Sequence, residues 1–577
     1  MDDLKLVRAI ANSLKQDREP FEAHYAQLEQ HFLPRRGQFT NDPAGKGNSD
    51  RGGLINGKMV DSTPVRALRI LQSGLQAGMT SPARPWFRLQ PLDPGLRERK
   101  AVKEYIAKAE YEMRRLMDNS GLYKVLHTGY QHLGVYGTEC AIIEDTLDYG
   151  LRGIELTPGS YWLGMSDERT VDTLYREFEM TVQQIVGKFV FRNSKYNEPE
   201  WGRVPQRVKN LYDKGNVTDR LTVCHLITPR QDRDHRFKDA SNKPIASWYW
   251  LKEDDRPRTA QTLAGDLGYD KNPISASRWT VSGYETYGIS PGMETLPDVK
   301  ELMAKRRDLA EAIKRMNRPA MNAHTDLRNS RFSLLPGAVN FMDDPAKGLI
   351  PAFQANPDIG SLQRDIEISK DAVWSGMYAD LFLMISNMPG VQPRNELELM
   401  ERKEEKLIAL GPVLEGLHNE KLKPLVERLY ETVTSSGTLG PAPEELDGQE
   451  LEIDFVSMLA QAQKAISTGS MERFAAFVGN ISAVKPNVLD KFDEDQAVDE
   501  YADMIGVPPS IVRSDDEVDA LRQQRQQAQQ AAQAAEQAVQ VTKAAQQGAQ
   551  AAKVLSEADA PRGPAPLDIL NRIGVGQ

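Results

Sequence analysis

The sequence predicts an α+β fold, mostly helical, and three observations carry that reading. Apolar residues recur three or four apart through most of the first 136 residues, the period of an amphipathic helix. Between 139 and 283 the pattern changes to short runs of β-branched and aromatic residues separated by turn residues. From Gly288 to Gly411 the helical period returns, ordered as helix, irregular insert, second helix, Pro/Gly loop and third, acidic helix. Helices and strands in separate blocks indicate α+β rather than alternating βα units.

Residues 3–33 read as helix from the stripe Leu4, Val7, Ala11, Leu14 and then Phe21, Tyr25, Leu28, Phe32. Pro20 is expected to divide it into two halves and Pro34 to stop the second. Gln38–Gly57, rich in Gly, Asn and Asp, reads as loop. Asp61, Ser62 and Pro64 offer cap and first-turn chemistry for a helix through Gln76. The prolines of GMTSPARPWFRLQP then impose extended chain. Further amphipathic helices are expected from about Glu98 to Met117 and from Leu122 to Tyr136.

Strands are expected at ECAIIEDT, LRGIELTP, TLYREFEMT, LTVCHLIT, IASWYWLK and SRWTVSG, with a short helix near 182–191. From Pro297 to Arg318 the stripe Val299, Leu302, Leu309, Ile313, Met316 predicts a charged amphipathic helix. Residues 319–360 hold too much Pro and Gly for a long helix and read as a small strand-and-turn unit. Leu362, Ile366, Val373, Met377, Leu381 and Ile385 predict one helix over 361–386, about 39 Å long if continuous. NMPGVQPRN follows, then an acidic helix capped by Asn395 and broken at Gly411–Pro412. Near the end, a Gln/Ala run after GVPPSIVRSDDEV has high helix propensity but no broad apolar face. Such a helix is marginal alone and is expected to pack against copies of itself through close Ala contacts.

At 577 residues the chain can hold several packed units, and its apolar and charged content is ordinary for a folded protein. A net charge of −10 argues against a protein that grips DNA by neutralising phosphates. It does not argue against one through which DNA slides. Cys140 and Cys224 cannot build a disulfide framework, and the charged start has no apolar signal core. No stretch of about 20 apolar residues occurs, so no membrane span and a cytoplasmic site of synthesis are expected.

No enzymatic constellation is visible, and neither a catalytic residue, a metal site nor a cofactor is expected. GKGN at 45–48 lacks the G-x-x-x-x-G-K-[ST] spacing by which a phosphate loop wraps its ligand. His127 and His132 stand five apart, not in H-E-x-x-H spacing, and the two cysteines are far apart in sequence. There is no G-x-S-x-G elbow. Acidic pairs such as Asp343–Asp344 and Asp515–Asp516 lie beside prolines or helix starts, where capping or solvation accounts for them. PGVQP at 389–393 is, by itself, a turn between two antiparallel helices.

Several segments resemble the portal, or head-to-tail connector, family of short-tailed bacteriophages. They are LKQDREPFEAHYAQLEQHFLPRRG at 14–37, DSTPVRALRILQSGLQAGMTSPARPWFRL at 61–89, HTGYQHLGVYGTECAIIE at 127–144, YGISPGMETLPDVKELMAKRRDLAEAIKRMNRPAM at 287–321, LGPVLEGLHNEKLKPLVERLYETV at 410–433 and GVPPSIVRSDDEV at 506–518. The second is the most specific, and together they cover most of the chain from about 10 to 520 in the expected order.

The resemblance implies a portal fold of wing, stem, clip and crown or barrel, assembled into a ring of typically about twelve subunits at one capsid vertex of the virion. It implies the N-terminal helical part of the wing at 1–138, its strand-rich part at 139–287, the first stem helix at 288–318, the clip at 319–360 and the second stem helix at 361–386. A tunnel loop at 387–395, wing or crown-side helices at 396–504, a crown or barrel helix at 505–556 and a flexible tail at 557–577 would follow. Met388, Pro389, Gly390, Val391, Gln392, Pro393, Arg394 and Asn395 would face double-stranded DNA. His324, Arg328, Arg331, Phe332 and Phe341 of the clip would meet the terminase large subunit and later the tail adaptor proteins, while major capsid and scaffold proteins surround the ring. The competing reading is an oligomeric tail adaptor or scaffold protein without a DNA channel, which would have no need of the helix–insert–helix–loop order.

Overall fold

A computed structural model describes residues 3–34, 59–190, 201–252, 262–325, 358–386, 410–456 and 474–482, apart from 98, 147–149, 232, 235, 238 and 447. It also describes scattered positions within 328–352, at 459 and within 485–549. The chain forms two compact units, residues 1–484 and 485–577.

In the first unit, α1 (Asp3–Phe32) runs unbroken through Pro20, contrary to the expected division. A mid-helix proline removes one backbone hydrogen bond, but here buried side chains on both sides of it, Val7, Ala11 and Leu14 before and Tyr25, Leu28 and Phe32 after, hold the helix to its neighbours. Helix α2 (Thr63–Met79) follows, with Pro64 in its first turn as expected, and runs about one turn beyond Gln76. Then come β1 (Phe87–Pro91), the short α3 (Pro94–Arg97), α4 (Lys100–Ser120) and α5 (Leu122–Tyr136). Gly121, at φ 70°, supplies the left-handed turn between α4 and α5.

The strand block forms two sheets. The smaller has order β3-β2-β9, from β2 (Thr138–Thr146), β3 (Gly150–Glu155) and β9 (Ile274–Arg278). The larger is an antiparallel meander, β4-β5-β6-β7-β8, from β4 (Tyr161–Met165), β5 (Val171–Thr181), β6 (Arg220–Pro229), β7 (Ile245–Leu251) and β8 (Thr262–Tyr269). Its period of two is explicit. Leu221, Val223, Tyr249 and Leu251 pack under α6 (Val182–Phe189) and α7 (Gln206–Asp213). The alternate residues Cys224, Leu226 and Trp250 pack under Val7, Ala11 and Leu14 of α1. Thr181 and Gln184 close a reciprocal capping box at the start of α6. Cys140 and Cys224 are both buried and free, and burial pushes the Cys140 thiol up.

The largest core is helical. It joins α2, α4 and α5 to α8 (Pro291–Asn317), α9 (Ile359–Gly376), α10 (Ala379–Ser386) and a helix over 410–435, here α11. A strand absent from the sequence reading, β12 (Leu451–Phe455), pairs antiparallel with β1, so that Trp86 stacks on Phe455 with ring centroids 6.3 Å apart. Gly411 and Pro412, expected to break a helix, are themselves helical, and the acidic helix expected before them lies outside the described residues. In the second unit the Gln/Ala run is helical over 520–531, with exposed side chains apart from Leu521, and Arg522 makes a two-point ion pair with Asp495 at 2.6 and 2.8 Å.

Candidate functional site

The helix–insert–helix segment begins at Ser290. Its hydroxyl accepts from the Met293 amide at 2.9 Å, which caps α8, and donates to the Val135 carbonyl at 2.7 Å, which ties the cap to α5. The helix therefore starts six residues earlier than Pro297, which its apolar stripe marks as the start, and Pro297 lies inside it. Just upstream two backbones touch. Gly137 sits at φ 72°, and a Cβ there would lie 2.3 Å from the Gly288 carbonyl oxygen, so this junction requires glycine.

Over 27 residues α8 spans about 40 Å. Its near half buries Leu296, Val299, Leu302, Met303 and Leu309. Beyond Leu309 nothing on it is buried, and Met316 is 44% exposed. On α9, Ile366 and Val373 are buried while Ile368, between them in sequence, is 67% exposed on another face. Polar ties join the two: Lys305 bonds Asp365 at 2.9 Å and the Ser369 hydroxyl at 3.0 Å. Arg306 pairs with Asp61 at 2.7 Å, linking α8 to the start of α2. Burial alone would raise the Asp61 carboxyl, but hydrogen bonds from Thr63 and Arg306 outweigh it and hold it below the ordinary range. Lys300 reaches Gln27 and Arg315 pairs with Glu311, so much of the basic face of α8 is matched within the chain.

The second helix is not continuous over 361–386. It breaks at Met377–Tyr378, where Tyr378 takes φ 54°, a left-handed backbone costly for an aromatic residue. Both flanks are locked by close packing. A Cβ on Gly376 would lie 2.5 Å from Thr295 Oγ1, and one on Gly74 of α2 would lie 2.2 Å from the Phe382 ring. The apolar stripe Val373, Met377, Leu381 passes through the break and so gives no sign of it in the sequence.

The insert contains a two-stranded ribbon, β10 (Met321–Asn322) with β11 (Ile350–Pro351), extended by an Ala352 amide bond to the Ala320 carbonyl at 2.7 Å. This agrees with the strand-and-turn unit expected there. Of the predicted insert residues, His324 and Arg328 are exposed and Phe341 is 91% exposed. Val339 and Ile350 add further exposed apolar surface. Arg331, Phe332 and all of the predicted loop residues from Met388 to Asn395 lie outside the described residues. Among the described residues no group of three or more His, Cys, Asp or Glu side chains is placed to hold a metal, and no helix is long and apolar enough to cross a membrane.

Sequence reasoning missed a third feature. Within α11, residues His418–Leu422 form a π-turn that carries Glu420 to Arg278 and Lys421 to Glu139. The signal was present: buried leucines at 410, 414 and 417 are followed by the next at 422, a step of five where a regular helix needs three or four.

Comparisons with known proteins agree with this architecture. The family described as "Bacteriophage head to tail connecting protein" matches residues 4–512. A "Probable portal protein" of Bordetella phage BPP-1 is 37% identical over 523 residues, covering 90% of each chain. A "Portal protein" of Salmonella phage epsilon15 is 36% identical over 524 residues, again covering 90% of each. With the match spanning both sheets, the α8–insert–α9 segment and α11 alike, the chain belongs to the bacteriophage head-to-tail connecting, or portal, protein family.

Proposed function

We propose that the chain forms a ring at one capsid vertex, through which a terminase drives the genome in and through which the genome later leaves, with the tail attached to the outer face. The observation that carries this reading is the α8–insert–α9 arm. One chain buries α8 as far as Leu309 and leaves its far end and the insert exposed, Phe341 most of all. A surface of that kind is completed by neighbouring subunits and docking partners, which head-to-tail interfaces closing into a ring supply. The arm would form the stem and clip, the sheets and N-terminal helices the wing, and the Gln/Ala helix a crown or barrel built from copies of itself.

No covalent chemistry is assigned to the ring. Its overall acidity and the internal matching of the α8 cations suit a low-friction conduit, since each phosphate contact adds affinity that translocation must undo. Arg394 is the one cation in the proposed loop sequence 387–395, and its repetition around a ring would set a narrow positive collar. Packaging tests of Arg394→Glu address this point: retention or packaging should fall while rings persist, and unchanged packaging removes the collar.

The deciding experiment is electron microscopy of the purified protein without imposed symmetry. A ring of about twelve subunits around an open channel is expected. Monomers, fibres or small oligomers across salt and concentration would instead support a tail adaptor or scaffold.

A further inference from the structure

The π-turn of α11 has a consequence beyond ring formation. The leucines at 410, 414 and 417 and the later stripe Leu422, Val426, Leu429 all bury in the same core, although the step between the two sets is five residues. The i→i+5 turn takes up one extra residue and re-phases the helix, so both stripes face inward. The same extra residue places Glu420 three positions after Leu417 and Lys421 one before Leu422, which turns both charges toward the sheet β3-β2-β9.

There they meet opposite charges on two paired strands. In the β2–β9 ladder Thr138 faces Arg278 and Glu139 faces Ser277. Glu420 accepts from Arg278 Nη2 at 2.6 Å and from the Arg278 backbone amide at 2.9 Å, which also occupies the outer edge of β9. Lys421 pairs with Glu139, whose carboxylate accepts from Ser277 Oγ at 2.8 Å. Arg278 in turn donates to the Arg169 carbonyl at 3.0 Å, at the turn joining β4 to β5. Glu139, Lys421 and Arg278 are all buried, and Gly129 of α5 leaves them room: a Cβ there would lie 2.8 Å from Glu139 Oε2 and 3.0 Å from Lys421 Nζ. Buried ion pairs of this kind add little stability over apolar packing, and their best-attested use is to fix register.

We propose that the π-turn is a mechanical coupling, an inserted residue that clamps α11 to strands β2 and β9 so that helix and sheet move as one body. Resting on the portal reading, this makes the wing sheet and α11 a single unit during DNA passage.

Deleting Asn419, an exposed residue of the π-turn, tests the coupling. The two leucine stripes then fall into one regular helix, while Glu420 stands two positions after Leu417 and turns to the opposite face. The variant lacking Asn419 should keep the parent's oligomeric state and melt within a few degrees of it. Hydrogen exchange should quicken at least tenfold in β9 and in the first half of α11, and infectious yield should fall at least a hundredfold. Glu420→Ala, which keeps the inserted residue and removes the clamp's hold on β9, should reproduce both effects. Unchanged exchange and yield in Glu420→Ala overturns the coupling, whether or not the deletion variant folds. If the parent protein forms no ring, the portal reading fails, but the exchange comparison still decides the coupling.

Discussion

The near and far halves of α8 differ in how far a single chain completes them. Around the near half two sheet edges, β4 and β9, are answered from within. On the edge strand β4 the Leu163 amide donates to the Tyr287 hydroxyl at 3.0 Å and the Tyr161 carbonyl accepts from Arg18, while on β9 the Arg278 amide reaches Glu420. An edge answered in this way cannot template another strand. Around the far half, by contrast, Met316, Ile350 and Phe341 stand in solvent. One chain thus carries a finished domain and an unfinished arm, and the difference separates what stabilises the subunit from what assembles it.

The strongest way to break that contrast is in the finished part. Trp86 is fully buried, lies edge-on to Phe87 at 4.7 Å and stacks on Phe455, so it holds the β1–β12 ribbon to the helical core. Trp86→Ala should cost about 3–5 kcal/mol, read as a lower denaturant midpoint at unchanged slope. A similar loss is expected for Gly137→Ala, since its φ is positive and the Gly288 carbonyl already fills the Cβ position. A shift under about 0.5 kcal/mol in either would mean that the near half is not the stabilising unit.

Acid sharpens the contrast with a smaller effect. His132 is buried in α5 beside Lys421, and burial first, then that cation, push its imidazole down to about 3. A histidine whose folded value is depressed contributes stability that is complete above its unfolded value near 6.5 and is lost as pH falls from there toward 3. His132→Gln should flatten the fall by up to about 1.4 kcal/mol per pH unit across that window, seen in urea melts at a series of pH values. An unchanged slope would show that this histidine does not drive acid loss.

Much of this fold was legible, and the exceptions share a cause. Helix α5 and the strand block follow from local period and turn residues, and the expected bounds 122–136 match. The resemblance correctly indicated the family across most of the chain. What escaped was set by contacts distant in sequence. Phe455 pairs with Phe87 across most of the chain, and the left-handed Tyr378 sits between Gly376, packed on Thr295, and Phe382, packed on Gly74 of another helix. Pro20 sits in an unbroken helix because tertiary packing outweighs a local breaker. The five-residue step in α11 was the exception, a non-regular turn written openly in the leucine spacing. For the site, the sequence marked the insert but could not separate its exposed Phe341 from an ordinary core phenylalanine, because exposure depends on what the rest of the chain leaves uncovered.

The smallest effect on stability should accompany a large effect on assembly. Phe341→Ser and Ile368→Ser remove exposed apolar surface from the unfinished arm and touch no buried group of the subunit, so each should change the unfolding free energy by less than about 0.5 kcal/mol. Yet burying a large side chain at an interface contributes roughly 1.5–3 kcal/mol per copy, repeated at every subunit boundary or docking contact it serves. Size-exclusion chromatography with light scattering should therefore show Ile368→Ser shifting toward smaller species at concentrations where the parent is fully assembled. Phe341→Ser, in the insert rather than between helices, should leave the oligomer intact while weakening whatever docks on that face. If both variants assemble and support packaging like the parent, the exposed arm is ordinary surface, and the division between a finished domain and an unfinished arm does not hold.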